Sequence, residues 1–141
     1  MAAQTFLLDE LITKLASGDA SVASLFRDDL QREILLHAHC HQKAIAGTEP
    51  TLAALRLVPG YKVSLVETSC CGMAGSFGFE SEHYEMSRAM GSLRLFPAVE
   101  ASPPETAIAI TGVSCRQQIG HFTSRRPRHA IELLAEALRQ P

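Results

Sequence analysis

The chain has 141 residues, enough for one domain with a real core, because a domain of this size buries roughly two thirds of the surface its unfolded chain exposes. Hydrophobic residues make up 46% and charged residues 20%, and a net charge of −2 leaves no broad basic field to hold nucleic acid. No apolar run approaches the ~20 residues that span a bilayer. The opening MAAQTFLLDELITKL, interrupted by Asp9, Glu10 and Lys14, lacks the basic start and unbroken apolar stretch of a secretory signal, so a cytoplasmic, reducing compartment is the expectation.

In chain order, Leu8, Leu11, Ile12 and Leu15 recur at helical spacing and predict an amphipathic helix over 5–17, stopped by Gly18. Residues 21–30 predict a weaker, short helix around Leu25, Phe26 and Leu30. Ile34, Leu35 and Leu36 open a strand that runs on into His37, Ala38 and His39. Thr48 is placed to cap a helix with Pro50 in its first turn, where a missing N–H costs little. That helix carries Leu52, Leu55 and Leu57 and ends at Pro59-Gly60. KVSLVET is the second strand, with Val63, Leu65 and Val66 as inward candidates, followed by the glycine-punctuated loop CCGMAGSFG. Residues 79–91 predict a helix, Pro97 starts or breaks a short one, and the Pro-Pro-Glu stretch at 103–105 is a loop. AIAITGV is a strand apolar on both faces, CRQQIGHF opens a helix, and Ile131, Leu133, Leu134, Ala137 and Leu138 predict a C-terminal helix. This alternation of helix and strand predicts an α/β fold, a parallel sheet with helices on both faces in a Rossmann-like three-layer arrangement. Residues 1–32 form a helical lead-in and 33–141 the main unit.

Four cysteines in a chain of this kind point to metal or redox chemistry rather than a disulfide framework. Adjacent Cys70 and Cys71 could bridge each other only with strain. Cys40 falls at the end of the first predicted strand, Cys70 and Cys71 after the second, and Cys115 after the third. In an open parallel sheet those ends lie along one edge, where ligands bind. The spacing is C-x29-CC-x43-C, without the short C-x-x-C knuckles common in zinc sites. Soft thiolates suit zinc or an iron–sulfur cluster. Neighbouring cysteines diverge, so they reach different irons of a cluster more easily than one small ion.

Gly72, Gly75 and Gly78 recur every third residue after the pair; glycines permit positive φ and let backbone N–H groups approach a ligand. The helix expected after the loop would add its N-terminal dipole. His37, His39 and His41 alternate around Cys40 and, on a strand, would share the face opposite it. His39 and His41 are the better candidates because they flank Cys40, and with the cysteines they would support a mixed zinc site. His83, His121 and His129 are weaker ones. Arg116 and Lys43 stand beside ligand positions, where they would offset thiolate charge or simply be solvated. No GxSxG, HExxH or paired-carboxylate pattern appears. A cysteine nucleophile near His39 and His41 stays open as a third chemistry.

The segments HAHCHQKA, SCCGMAGSFGFESEHYEMS, LFPAV, GVSCRQQI and RHAIELL resemble, over about residues 33–138, the CCG or cysteine-rich domain. That domain occurs in heterodisulfide reductase and in the iron–sulfur components of glycolate, glycerol-3-phosphate and lactate oxidation systems. The pattern is most similar to the C-terminal iron–sulfur portion of FAD-linked D-2-hydroxyacid dehydrogenases. The resemblance implies a 4Fe–4S cluster on Cys40, Cys70, Cys71 and Cys115, supported by His39, His41, Gly72, Gly75 and Arg116, with zinc as the alternative. It implies an electron-transfer module of a flavin-linked 2-hydroxyacid oxidoreductase, without turnover of its own. FAD would sit on a partner domain or separate partner chain, a ferredoxin-like iron–sulfur segment would be a second partner, and any membrane contact would be peripheral, through partners. Two departures matter. Many relatives of the motif end in C-x-x-C, but Gln118 stands where the last cysteine would be, so a five-cysteine cluster does not carry over. The chain also has one such repeat and no ferredoxin or flavin segment, as expected of part of a longer protein or complex.

Overall fold

Three short apolar runs pair side by side to form the centre of the molecule. The computed structural model describes residues 5–68 and 70–140. Strand β1 (Arg32–His37) pairs in parallel with β2 (Tyr61–Leu65) on one side and β3 (Ala107–Ile110) on the other; β4 (Arg128–His129) pairs in parallel with β3. The order is therefore β2-β1-β3-β4. Among the described residues, eight α-helices connect and flank them: α1 (Leu8–Gly18), α2 (Ser21–Ser24), α3 (Cys40–Ile45), α4 (Glu49–Arg56), α5 (Tyr84–Ser92), α6 (Leu95–Ala101), α7 (Val113–Phe122) and α8 (Ala130–Glu136).

Alternation along the strands splits the core in two. Ile34, Leu36 and Ala109 face Leu52 and Leu55 of α4 and Leu133 and Leu134 of α8, and Ile12 of α1 packs onto the same side. Leu35, Ile108 and Ile110 face Leu95, Phe96 and Val99 of α6 and Ile119 of α7. This is the expected α/β arrangement, a parallel sheet between two helical layers. A buried Leu or Ile contributes about 1.5–3 kcal/mol, and these contacts set the strand register. Pro97 sits in the first turn of α6, where no helical hydrogen bond needs its missing N–H. Among the described residues, no helix is long and apolar enough to cross a membrane.

Several local expectations are corrected. The first strand stops at His37 and does not run into His39, and Cys40 opens helix α3 instead of ending a strand. A side chain ends the strand: the His39 N–H donates to Thr111 Oγ1 at 2.8 Å, away from the ladder. Thr48 occupies the cap position of α4 but its hydroxyl makes no capping hydrogen bond, while Pro50 lies in the first turn as expected. The helix predicted from residue 79 begins only at Tyr84, after two 3-10 turns, Phe77–Phe79 and Ser81–His83, so its dipole does not follow directly on the glycine loop. Strand β4, only Arg-His, carries no apolar signature and was not anticipated. Ser69, the residue before the cysteine pair, lies outside the described residues.

Candidate metal centre

With this strand order the chain leaves β1 toward β2 and leaves β3 toward β4, so the segments after β1 and β3 diverge and open a crevice at the sheet's C-terminal edge. All four cysteines belong to segments at that edge. Cys40 begins α3 after β1, Cys70 and Cys71 lie in the loop after β2, and Cys115 is in the first turn of α7 after β3. The two diverging segments are joined by the His39–Thr111 hydrogen bond. They pack so closely that a β-carbon on Gly112 would come within 2.6 Å of the His39 ring.

All four cysteines are free thiols, Cys40 and Cys70 half-buried, Cys71 and Cys115 buried. They form two pairs. Cys71 Sγ lies within 4.8 Å of Cys115 Sγ, and Cys70 is close enough to Cys40 to help push its thiol up. A hydrogen bond with Cys115 holds the Cys71 thiol down to about 4 against the opposing effect of burial, with smaller help from His37 and the Met73 backbone. The same bond, together with burial, pushes the Cys115 thiol up. Burial first, then the charge of Cys70, pushes Cys40 up. Sulfur donors are thus crowded at one edge of the sheet. A cationic centre would relieve the crowding, so the donor set fits a thiolate-bound metal.

Beneath the thiols lies His37. It is completely buried at the end of the central strand, and neither ring nitrogen has a hydrogen-bond partner among the described residues. A ring nitrogen of His37, Cys71 Sγ and Cys115 Sγ all lie within 4.8 Å of one another. An unpaired buried polar group costs about 1–3 kcal/mol, so this histidine is out of keeping with a purely structural role. The expectation favoured His39 and His41 instead. It rested on their flanking Cys40 in the sequence. With the strand ending at His37, that histidine stands beside Cys71 and Cys115. A histidine closing an apolar, fully covered strand was the available signal. His39 and His41 line a solvent-open hollow of about 460 Å³ with Cys40, Ala74, Gly75 and Ser114.

The remaining candidates are occupied elsewhere. Arg116 makes an exposed ion pair with Glu132 at 3.1 Å. Lys43 Nζ donates to the Thr68 carbonyl and so ties α3 to the loop that carries the cysteine pair. His83 stacks on Phe77 with ring centroids 4.0 Å apart, His121 Nε2 is 3.1 Å from the Tyr84 hydroxyl, and His129 caps α8 by accepting from the Ile131 N–H. Gln118 is buried, and its Nε2 donates to Ser87 Oγ at 2.8 Å, bracing α7 against α5.

The loop after Cys71 turns through three left-handed residues, Gly72 (φ +101°), Ala74 (+42°) and Gly75 (+71°). Ala74 gave no warning of this in the sequence. The Gly72 N–H donates to Cys70 Sγ at 3.3 Å, and the Gly78 N–H donates to the Met73 carbonyl at 2.9 Å. A β-carbon on Gly72 would stand 2.1 Å from the Ser87 carbonyl oxygen and 3.0 Å from Gln118 Nε2. The glycine lets the loop lie flat against α5 and α7.

The chain is similar to parts of known dehydrogenases. It is 37% identical over 109 residues, 77% of its length, to one component of the anaerobic glycerol-3-phosphate dehydrogenase of Escherichia coli (strain K12). It is 34% identical over 104 residues, 73% of its length, to D-2-hydroxyglutarate dehydrogenase of Pantoea ananatis (strain AJ13355). With the Escherichia coli (strain K12) protein of the latter name it shares 32% over 102 residues. The matched region is 27% of the first protein and 10% of each of the other two, so the chain spans only a small part of these curated relatives. No protein-family model and no solved structure matches the chain.

Proposed function

We propose that this chain is the cluster-bearing electron-transfer module of a flavin-linked oxidoreductase, with Cys40, Cys70, Cys71 and Cys115 holding a 4Fe–4S cluster. The observation that carries the reading is the setting of the adjacent cysteines: Cys71 Sγ lies within 4.8 Å of Cys115 Sγ and of a His37 ring nitrogen, while Cys70, outside that group, accepts from the Gly72 N–H. Ligands spread over two neighbouring directions suit a multi-iron cluster better than one small tetrahedral ion. The similarity to dehydrogenase components supports the oxidoreductase setting, and residues 33–141 would be the CCG-type unit. The substrate class oxidised by the whole assembly would be a 2-hydroxyacid or glycerol 3-phosphate. FAD on a partner domain would donate, and a ferredoxin-like segment or another downstream carrier would accept.

When bound, the cluster supplies one-electron chemistry. The chain's own residues do the rest. The Gly72 N–H donates to Cys70 Sγ, and such a bond to a ligand sulfur disperses its charge and raises the potential. Lys43 fixes the loop bearing Cys70 and Cys71 to α3. The Gln118–Ser87 bond keeps α7, and with it Cys115, seated against α5. Leu95, Ile110 and Ile119 keep water from the inner pair.

Anaerobic reconstitution with iron and sulfide tests the reading. The full chain should take up both in near-equal amounts and lose them when Cys71 or Cys115 is replaced by serine. Failure to retain iron and sulfide would sink it. A structural zinc ion is the second reading, favoured by the compact His37–Cys71–Cys115 group, since zinc accepts mixed sulfur and nitrogen donors. One zinc per chain in freshly isolated protein, with loss of fold on chelation, would select it.

A further inference from the structure

Among the described residues, the cavities, exposed apolar side chains and remaining histidines either have partners or show no ligand chemistry; His37 is the exception. We infer that His37 is a direct nitrogen ligand of the metal centre, making it a mixed imidazole–thiolate site. The inference rests on the metal-centre reading above and deepens it.

Three observations converge. The imidazole is fully buried and neither nitrogen makes a hydrogen bond of good geometry among the described residues, though it is close enough to help hold the Cys71 thiol down; buried polar groups are normally hydrogen-bonded. One ring nitrogen lies within 4.8 Å of both Cys71 Sγ and Cys115 Sγ, close enough for one metal atom to touch all three. The ring is carried by a central strand, since β1 pairs with β2 and β3 and His37 itself is in register with Ile110 of β3. A ligand held by a central strand is positioned before the metal arrives. The three donors come from a strand, a loop and a helix, so the metal would tie together the segments after β1, β2 and β3. Gln118 cannot take this part, since its amide is engaged with Ser87. As a donor beside the four thiolates, a neutral imidazole adds no negative charge to the centre, where the fifth thiolate of the C-x-x-C pattern would. The less negative centre has the higher potential.

The test is pulsed EPR of the full chain labelled with ¹⁵N-histidine and reconstituted anaerobically with iron and sulfide. The expected result is one strongly coupled ¹⁵N in the reduced protein, unchanged in His39→Ala and His41→Ala, and lost in His37→Leu. Coupling that survives His37→Leu, or its absence from wild-type protein that has bound iron and sulfide, overturns the inference while leaving the cluster reading intact. Should His37→Leu not fold, the wild-type, His39→Ala and His41→Ala spectra decide alone, because the other three histidines are engaged elsewhere. If the wild type binds no iron and sulfide, the cluster reading has failed, and cobalt(II) alone becomes the probe. A bound cobalt ion coupled to His37 ¹⁵N still upholds the ligand assignment, and cobalt without that coupling, or no cobalt uptake, overturns it.

Discussion

Replacing Gly72 by alanine should destabilise the metal-free fold far more than the same change at Gly75. Both residues have positive φ, +101° and +71°, and an L-residue there costs about 1–2 kcal/mol. Both changes also regain about 0.4–1 kcal/mol by restricting the unfolded chain. Only the space differs. At Gly75 the new methyl meets nothing within 4 Å, whereas at Gly72 it would lie 2.1 Å from the backbone oxygen of Ser87, which cannot rotate away. The loop and α5 must separate, and forcing extra volume into a packed site costs about 1–3 kcal/mol. Urea unfolding of the two metal-free variants isolates that steric part. With a slope of about 2 kcal/mol per molar, the Gly72→Ala midpoint should fall about 0.5–1.5 M below that of Gly75→Ala. Equal midpoints, within about 0.2 M, would refute the close seating of the cysteine loop on α5.

Three further outcomes are expected. Gln118→Ala leaves a buried Ser87 hydroxyl without its donor and should cost about 1–3 kcal/mol in the same urea assay, with an unchanged slope. Glu136 is held down to about 2, chiefly by hydrogen bonds from Arg32 and then Arg128. A carboxylate with a lowered folded pKa stabilises above its ordinary value and loses that contribution as pH falls from about 4.5 toward about 2, so Glu136→Gln should flatten the acid limb of stability against pH; an unchanged limb counts against the Arg32–Glu136–Arg128 cluster. Cys40 and Cys115 are pushed up and hold their protons at neutral pH, so metal loading in weak buffer should acidify the solution, and affinity should fall as pH falls. Loading without proton release would mean that these two thiols are not ligands.

The sheet was legible because its strands are written in apolar runs. Ile34 to Leu36 and Ala107 to Ile110 are too hydrophobic to sit anywhere but under helices on both sides. The meeting of the cysteine-bearing segments at one edge followed from placing each after a strand. What could not be read were decisions made by distant residues. Thr111 ends β1 from 72 positions away by taking the His39 N–H, and without that knowledge His-Ala-His-Cys-His looks like an alternating strand. Sequence proximity to Cys40 favours His39 and His41, whereas the fold sets His37 beside Cys71 and Cys115. Ala74 adopts a left-handed conformation that its identity disfavours, because the surrounding loop imposes it. β4 exists because Arg128 and His129 lie in register with Ala109 and Ile110, a pairing that two polar residues do not announce.

The half-buried Cys40–Cys70 pair and the buried Cys71–Cys115 pair also set an order of chemical vulnerability. Alkylating reagents and peroxide arrive through the hollow lined by His39, His41 and Gly75, and the first sulfur they meet is that of Cys40. Cys71 has the greater thiolate character, yet it is shielded from collision. Damage should therefore begin at the rim and leave the inner pair reduced. In such an injured molecule, Cys71, Cys115 and His37 would still stand within 4.8 Å of one another.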